Sequence, residues 1–256
     1  MELVKNPTAS KFYEKVKEAS EVEICVPFIK QKTLSEIFDI NPNIKLTLIT
    51  NMNSGSFKSG ASDLDAIRHI HDKNMEVYNN QKLHAKIYVF DSVSALVSSA
   101  NLTPSGMNKN YEYGVYFEEQ PYIKNLLEDL ENLKNNEITS LVDAKILDEI
   151  EIILENLGPL DIKFDSEDYS ITKDGVNKLK PRMTSWEKAV FDCIEDLNSV
   201  HFNLTQVYQY KHLLKKKFQL NNTIESSIRQ KLQLLRDKGL VKFYGNGQYK
   251  RLWETK

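Results

Sequence analysis

Along the first 160 residues the apolar positions switch repeatedly between the helical period and the alternation of strands. Lys11 to Ala19, following Ser10, predicts a short amphipathic helix, and Val22 to Phe28 a strand halted near Pro27. Thr33 to Phe38 reads as a short helix with Thr33 at its cap, and Ile44 to Thr50 as a strand. Asn51 to Ser62, rich in Ser, Gly and Asn, reads as a loop. Asp63 to Lys73 predicts a helix and Met75 to Tyr78 a strand. Two apolar strands follow between Leu83 and Asn101, carrying Ile87, Val89, Phe90, Ala95, Leu96 and Val97 as their filling. A strand from Tyr113 to Glu118 and helices from Tyr122 to Lys134 and Leu141 to Leu157 complete the run, with Gly158-Pro159 as the stop. Strands alternating with helices imply an α/β sandwich around a largely parallel or mixed sheet.

Leu160 to Arg182 has little apolar periodicity and reads as a linker. Beyond it, Ser185 to Leu197 is helical, with Trp186, Val190 and Ile194 four residues apart on one face. Phe202 to Leu204 is a short strand, and Thr205 caps a helix running to Phe218. Asn222 to Lys238 is a third helix, with Ile224, Ile228, Leu232 and Leu235 inward and Gly239 at its end. Leu240 to Tyr244 and Gln248 to Trp253 form a hairpin around Gly245-Asn246-Gly247. Three helices and a hairpin describe a winged helix. The predicted organisation is thus an α/β domain over 1–159, a linker over 160–182 and a small winged-helix domain over 183–256.

Polar residues interrupt the two strands of the first domain at regular offsets. His84 and Lys86 are two apart, as are Ser99 and Asn101, and a spacing of two on an extended chain puts both side chains on one face. Asp91 follows Lys86 by five, and Glu112 closes the set. Taken singly, each has an ordinary structural reading: a strand histidine, a turn-starting asparagine, a solvated glutamate. Together, an imidazole, an ammonium, a hydroxyl, an amide and a carboxylate are the groups that phosphoryl transfer through a covalent enzyme intermediate requires without a metal.

Bulk composition, 41% hydrophobic and 27% charged, is that of an ordinary globular protein. No apolar run approaches a bilayer span, and Met1 to Lys5 opens no signal peptide, so a cytoplasmic protein without a membrane partner is expected. Cys25 and Cys193 read as reduced buried thiols in separate domains, with no metal-ligand cluster and no cofactor motif, nucleotide or otherwise. The net charge of −2 hides an asymmetry. From Met183 to Lys256 there are thirteen Lys and Arg against seven Asp and Glu, a balance of +6, and the remainder carries −8. The basic excess in the winged helix suggests a polyanionic partner.

In a winged helix the third helix enters the major groove. Opposite its apolar stripe stand Asn222, Ser226, Arg229, Gln230 and Gln233, with Arg236 near its end and Lys242 and Tyr249 on the hairpin. Arg reads guanine bidentately and Asn or Gln reads adenine, so these are the expected contacts to double-stranded DNA. A merely solvated face, or arginines touching only phosphates, are the competing readings.

The joint pattern His84-x-Lys86-x4-Asp91, then Ser98-Ser99-x-Asn101, then Glu112, resembles the signature of the phospholipase D superfamily, and the offsets match its small nuclease members. That resemblance implies His84 as a nucleophile forming a phosphohistidine, with Lys86, Asn101 and Ser99 holding the phosphoryl oxygens. Glu112 would orient an imidazole, and Asp91 would be structural. One signature per chain implies a homodimer with a shared active site, in which the partner's imidazole is the general acid. The stretch SIRQKLQLLRDKGLVKFYGNGQYKRLW, with Trp186 and FDCIEDL before it, resembles the C-terminal winged helix of the methyl-directed restriction enzyme DpnI, most closely between Ile228 and Arg251. That enzyme's module recognises adenine-methylated GATC. The resemblances together imply a metal-independent DNA endonuclease of restriction type whose winged helix selects the site, in a form that reads N6-methyladenine. A nonspecific nuclease or phosphodiesterase, and a DNA-binding regulator with an inactive nuclease domain, stay open.

Overall fold

The computed structural model describes residues 1–157 and 170–253. Two compact units divide the chain, Met1–Leu147 and Asp148–Lys256. The first holds β1 (Glu2–Lys5), α1 (Thr8–Glu18), β2 (Glu21–Cys25), α2 (Gln31–Ile40), β3 (Lys45–Thr50), α3 (Ser54–Lys58), α4 (Leu64–Asp72), β4 (Val77–Asn80), β5 (Ile87–Phe90), β6 (Ser94–Ser98), β7 (Tyr113–Phe117), α5 (Gln120–Lys134) and β8 (Thr139–Leu141). The eight strands form one sheet in the order β1-β7-β6-β5-β2-β3-β4-β8. β2, β3 and β4 run parallel and all other pairs are antiparallel, so the sheet is mixed, as the alternation of elements predicts.

Alternation decides which face each strand buries. Tyr88 and Leu96 are cross-strand partners on one face, where Tyr88 meets Phe12 of α1 edge-to-face at 4.9 Å between ring centroids. Val89 and Ala95 are partners on the other, under Ile123 and Leu130 of α5. Both faces of the central strands are therefore covered, which explains their nearly continuous apolar runs.

Several boundaries differ from the sequence expectation for local reasons. The edge strands β1 and β8 are additional; they are four and three residues long and bury only Val4 between them, so neither leaves an alternating signature. α2 begins at Gln31 with no cap from Thr33, which is buried; the Gln31 N–H is instead met at 2.9 Å by Asp63 Oδ2 from the start of α4. The expected loop over 51–62 contains the single turn α3, capped by Asn53 Oδ1 accepting from Ser56 N–H at 3.1 Å.

α6 (Ala144–Glu155) contains the division between the units, and its predicted first residues belong instead to β8 and the turn after it. The predicted stop at Gly158-Pro159 and the first part of the predicted linker lie outside the described residues. The remainder of that linker is not featureless. α7 (Lys173–Leu179) starts on Thr172, whose Oγ1 accepts from Gly175 N–H at 3.3 Å, and buries Val176 and Leu179 in the second core. Two apolar residues in seven are too few to show as a period.

The second unit continues with α8 (Ser185–Asp196), β9 (His201–Asn203), α9 (Leu204–Tyr208), α10 (Lys211–Lys217), α11 (Ile224–Asp237), β10 (Val241–Gly245) and β11 (Gln248–Arg251). β9 adds to the hairpin to give a sheet in the order β10-β11-β9. The helix predicted as one piece from Thr205 is two, α9 and α10, and its cap is Asn203, in a reciprocal capping box with Gln206. Ile228, Leu232 and Leu235 of α11 are fully buried against Val190, Phe191 and Ile194 of α8, each contributing about 1.5–3 kcal/mol. This is the winged helix that the sequence predicts.

Candidate active site and nucleic-acid face

β2, β3 and β4 all end on one edge of the sheet, and the antiparallel β5 starts there, since Cys25 at the end of β2 pairs with Ile87 at the start of β5. β6 ends beside that start, with Val97 opposite Ile87, and β7 begins beside it, with Gly114 opposite Ser98. His84 and Lys86 enter β5, Ser99 and Asn101 leave β6, and Glu112 precedes β7. All five sequence-predicted residues therefore gather at the carboxyl edge of the parallel strands, where open α/β sheets carry their ligand sites. They stand just beyond the strands rather than within them, which corrects the expectation of two side chains on one strand face.

Lys86 Nζ donates to the His84 carbonyl at 2.7 Å and approaches His84 Nδ1 at 3.5 Å. His84 is exposed and Lys86 half-buried. Burial lowers the pKa of the Lys86 ammonium, against the opposing pull of the Glu112 carboxylate. Ser99 Oγ donates to Glu112 Oε2 and accepts from Tyr113 N–H at 3.1 Å. The other Glu112 oxygen, Oε1, accepts from Asn110 Nδ2 at 3.1 Å. Glu112 is buried, and within one chain these contacts engage it with Ser99 and Asn110 rather than with the imidazole the sequence assigned to it. Asn101 Oδ1 is buried with no hydrogen-bond partner among the described residues. An unmet amide oxygen at this sheet edge suits a donor that arrives with a ligand or a partner.

Asp91 lies at the other end of β5. Its Oδ1 accepts from Ser20 and Glu21 N–H at 2.8 and 2.9 Å, which pins the start of β2 and makes its role structural. Sequence reasoning named Ser98 within the signature without giving it a role, and passed over Asn110 and two glycines. Ser98 Oγ accepts from Ala100 N–H at 3.1 Å and shapes the turn between Ser99 and Asn101. A Cβ on Gly106 would lie 2.5 Å from the Asn101 carbonyl oxygen, and one on Gly114 would lie 2.8 Å from that of Val97. Only glycine lets both backbones close on the site. The PSG and YEYG strings held this signal, but a glycine in sequence does not say what approaches it.

Asn222 lies before α11 rather than on it and is exposed; on the helix Ser226, Arg229 and Gln230 are exposed and Gln233 is half-buried. Arg229 is already oriented: Nη1 donates to Tyr208 Oη at 2.7 Å and Nη2 to Ser226 Oγ at 3.2 Å. Lys215 Nζ of α10 donates to Asn222 Oδ1 at 3.2 Å, and Lys211, Lys215 and Arg229 line a groove between α10 and the start of α11. Arg236 departs from the expectation. It is buried and paired with Asp237 at 2.7 Å, so it is not a residue of this face. Lys242 lies 5.2 Å from the Tyr244 ring centroid on the wing. Tyr249 is half-buried, stacked on Phe202 at 5.4 Å, and its ring packs the wing to the core.

Among the described residues no group of three or more His, Cys, Asp or Glu is placed to hold a metal ion, and no helix is long and apolar enough to cross a membrane.

Residues 14–134 match the family described as "Cardiolipin synthase, PLD-like domain". Residues 182–251 match the family described as "Dam-replacing HTH domain". The chain thus joins a phospholipase D-like domain to a Dam-replacing helix-turn-helix domain, the two resemblances read from its motifs. Similar solved structures include Nuc, a phospholipase D family member from Salmonella typhimurium, at 13% identity and TM-score 0.47 over 56% of this chain and 97% of that one. NucT from Helicobacter pylori is similar at 15% identity and TM-score 0.43, over 52% of this chain and 94% of that one. Phosphatidylserine synthase from Haemophilus influenzae is similar at 13% identity and TM-score 0.44, over 55% of this chain and 39% of that one.

Proposed function

We propose that the protein is a homodimeric DNA endonuclease of restriction type that cleaves phosphodiesters through a phosphohistidine, without a metal ion, at sites selected by its winged helix. The observation that carries this reading is the meeting of His84, Lys86, Ser99, Asn101 and Glu112 at one sheet edge, in a chain that also bears a basic helix-turn-helix module.

In this reading the His84 imidazole attacks phosphorus in line, a P–N bond forms, and the P–O bond to the leaving oxygen breaks. Lys86 Nζ and the Asn101 Nδ2 amide donate to the nonbridging oxygens, and Ser99 adds a hydrogen bond. The leaving oxygen needs a proton, which the His84 imidazole of a second copy supplies; the same imidazole then takes a proton from the water that breaks the P–N bond. A site that needs two imidazoles and finds one per signature is complete only across a two-fold axis. Glu112 holds Ser99, and its charge favours the charged form of Lys86 against the burial that disfavours it. Arg229, with Asn222, Ser226, Gln230, Gln233 and Lys242 around it, reads the DNA. Specificity for N6-methyladenine is the finer part of the proposal, supported by the Dam-replacing module alone.

The test is cleavage of one plasmid, prepared with and without adenine methylation, in buffer containing EDTA. Discrete fragments from methylated DNA only are expected. Fragments from unmethylated DNA remove the methyl reader, a smear of products removes site selection, and no cleavage of either overturns the nuclease reading.

A further inference from the structure

The chain leaves β4 at Asn80 and enters β5 at Ile87, and both β3 and β2 lie between those strands. Three spacings of about 4.8 Å make a span of about 14 Å. The seven Cα steps from Asn80 to Ile87 reach at most about 24 Å, enough to span the gap with a turn in the segment and no fixed path of its own. Residues 81–86 belong to no strand; the β5–β6 ladder reaches as far as the Lys86 carbonyl, which accepts from Ser98 N–H at 3.1 Å, and residues 81–85 lie before it, yet this segment carries both His84 and Lys86.

Amide side chains do the fixing. Asn51 Nδ2, from the end of β3, donates to the Gln81 carbonyl at 3.0 Å. Asn80 Oδ1 accepts the Lys82 N–H at 3.0 Å, while its Nδ2 donates to Thr139 Oγ1 of β8 at 2.8 Å. Behind them Asn79 Oδ1 accepts the Met52 N–H at 3.0 Å, which ties the corner bearing Asn51 to β4. The Leu83 N–H reaches the Asn80 carbonyl at 3.1 Å and closes the turn, with the Leu83 side chain buried and His84 the next residue. Asn79 and Asn80 are each 1% exposed. Amides so buried are retained at a desolvation cost, and the contacts that offset it run to the main chain of the crossing or to its anchor.

We propose that Asn51 and Asn80, backed by Asn79, are positioning residues that brace the crossing and so aim the His84 imidazole at the phosphorus. The inference rests on the reading of His84 as the nucleophile. It makes an asymmetric demand: Asn51 serves as a donor, whereas Asn80 serves Lys82 as an acceptor. Asn51→Asp loses the donor and sets two oxygens face to face. Asn80→Asp keeps the acceptor, and the Thr139 hydroxyl turns to donate to it.

The experiment uses the full chain and bis(p-nitrophenyl) phosphate, a small diester that needs no winged helix for recognition. Asn51→Asp and Asn51→Ala are expected to lower kcat about 100-fold, the scale of an ångström of misplacement. KM stays within about twofold, and Asn80→Asp stays within about threefold of the parent in both constants. In protein labelled with ¹⁵N-histidine, the His84 imidazole signals shift in both Asn51 variants while those of the other four histidines hold, which also shows that the variants are folded. Parent-like kinetics for Asn51→Asp, or equal losses in the two Asp variants, overturn the brace. A His84→Ala protein as active as the parent overturns the nucleophile reading instead; the brace then stands or falls on whether the imidazole signals move in Asn51→Ala.

Discussion

Lys238, at the C-terminal end of α11, is 3% exposed and meets two carboxylates, Glu149 of α6 at 2.7 Å and Glu187 of α8. Replacing it by methionine, similar in length and uncharged, tests what holds α11 in place. Burial works to raise the pKa of Glu187, but Lys238 and the Thr184 N–H outweigh it and hold the value at about 2, below the ordinary 4.5. A depressed carboxylate contributes stability that is complete above its unfolded pKa and lost as pH falls through the folded one. The difference of about 2.5 pKa units corresponds to about 3 kcal/mol, present above about pH 5 and lost towards pH 2. An independent route gives a similar figure, since removing one partner from a buried ion pair costs about 3–5 kcal/mol. Lys238→Met is therefore expected to destabilise the second unit by at least about 3 kcal/mol at pH 7, a fall of about 2 M in urea midpoint.

The assay follows from where the tryptophans lie. The chain has two, Trp186 stacked on Phe218 at 3.9 Å and Trp253 stacked on Phe191 at 4.3 Å, and both belong to the second unit. Tryptophan emission during urea unfolding thus reports this unit alone. A companion variant, Lys238→Met with Glu187→Gln and Glu149→Leu, removes every charge of the triad and keeps the N3 side chain of the α8 capping box. It is expected to recover most of the loss, because a fully neutral replacement strands no charge. A Lys238→Met midpoint within experimental error of the parent would refute the reasoning, and so would a neutral variant no more stable than the single one.

Two further outcomes follow from named contacts. Arg229→Ala is expected to weaken binding to the selected DNA sequence by about 1–3 kcal/mol and to weaken nonspecific binding less, as read by fluorescence anisotropy at fixed salt; equal losses make Arg229 a phosphate contact. Glu112→Gln removes the charge that opposes the burial-driven fall in the Lys86 pKa, so the alkaline limb of the pH–rate profile should move to lower pH, and an unmoved limb disconnects Glu112 from Lys86.

What the sequence discloses here depends on how a residue's role is encoded. Central strands are legible because both faces are buried and their apolar runs are nearly continuous, and the winged helix because its helices keep the helical period. β1 and β8 have no room for either. Arg236 shows a residue's type overriding its place. Relative to Ile228, Leu232 is at +4, Leu235 at +7 and Arg236 at +8, the spacing of a single buried stripe, while Ser226, Arg229, Gln230 and Gln233 fall off it. Spacing alone puts Arg236 inside, and its charge suggested DNA. The pairing that allows its burial, with Asp237 next to it in the chain, is a matter of rotamers that no pattern displays.

The proposed catalytic set was legible as a list and illegible as a geometry for a related reason. Inside a strand the ladder fixes the main chain, and almost any apolar side chain will do. The residues of this site stand one to three positions beyond the ladders, where side chains join a few main-chain bonds in holding the backbone: Asn51 and Asn80 before His84, Ser98 before Asn101, Ser99 and Asn110 around Glu112. Amides and hydroxyls of this kind look like loop residues in sequence, and turn chemistry accounts for each one singly. Their substitution profile is what separates the readings. A loop asparagine chosen for its backbone tolerates aspartate or glycine; one chosen as a donor to a fixed carbonyl tolerates neither. On the proposed reading, the identity of the small polar residues at this sheet edge, more than that of the strands beneath them, sets how accurately the imidazole meets its phosphorus.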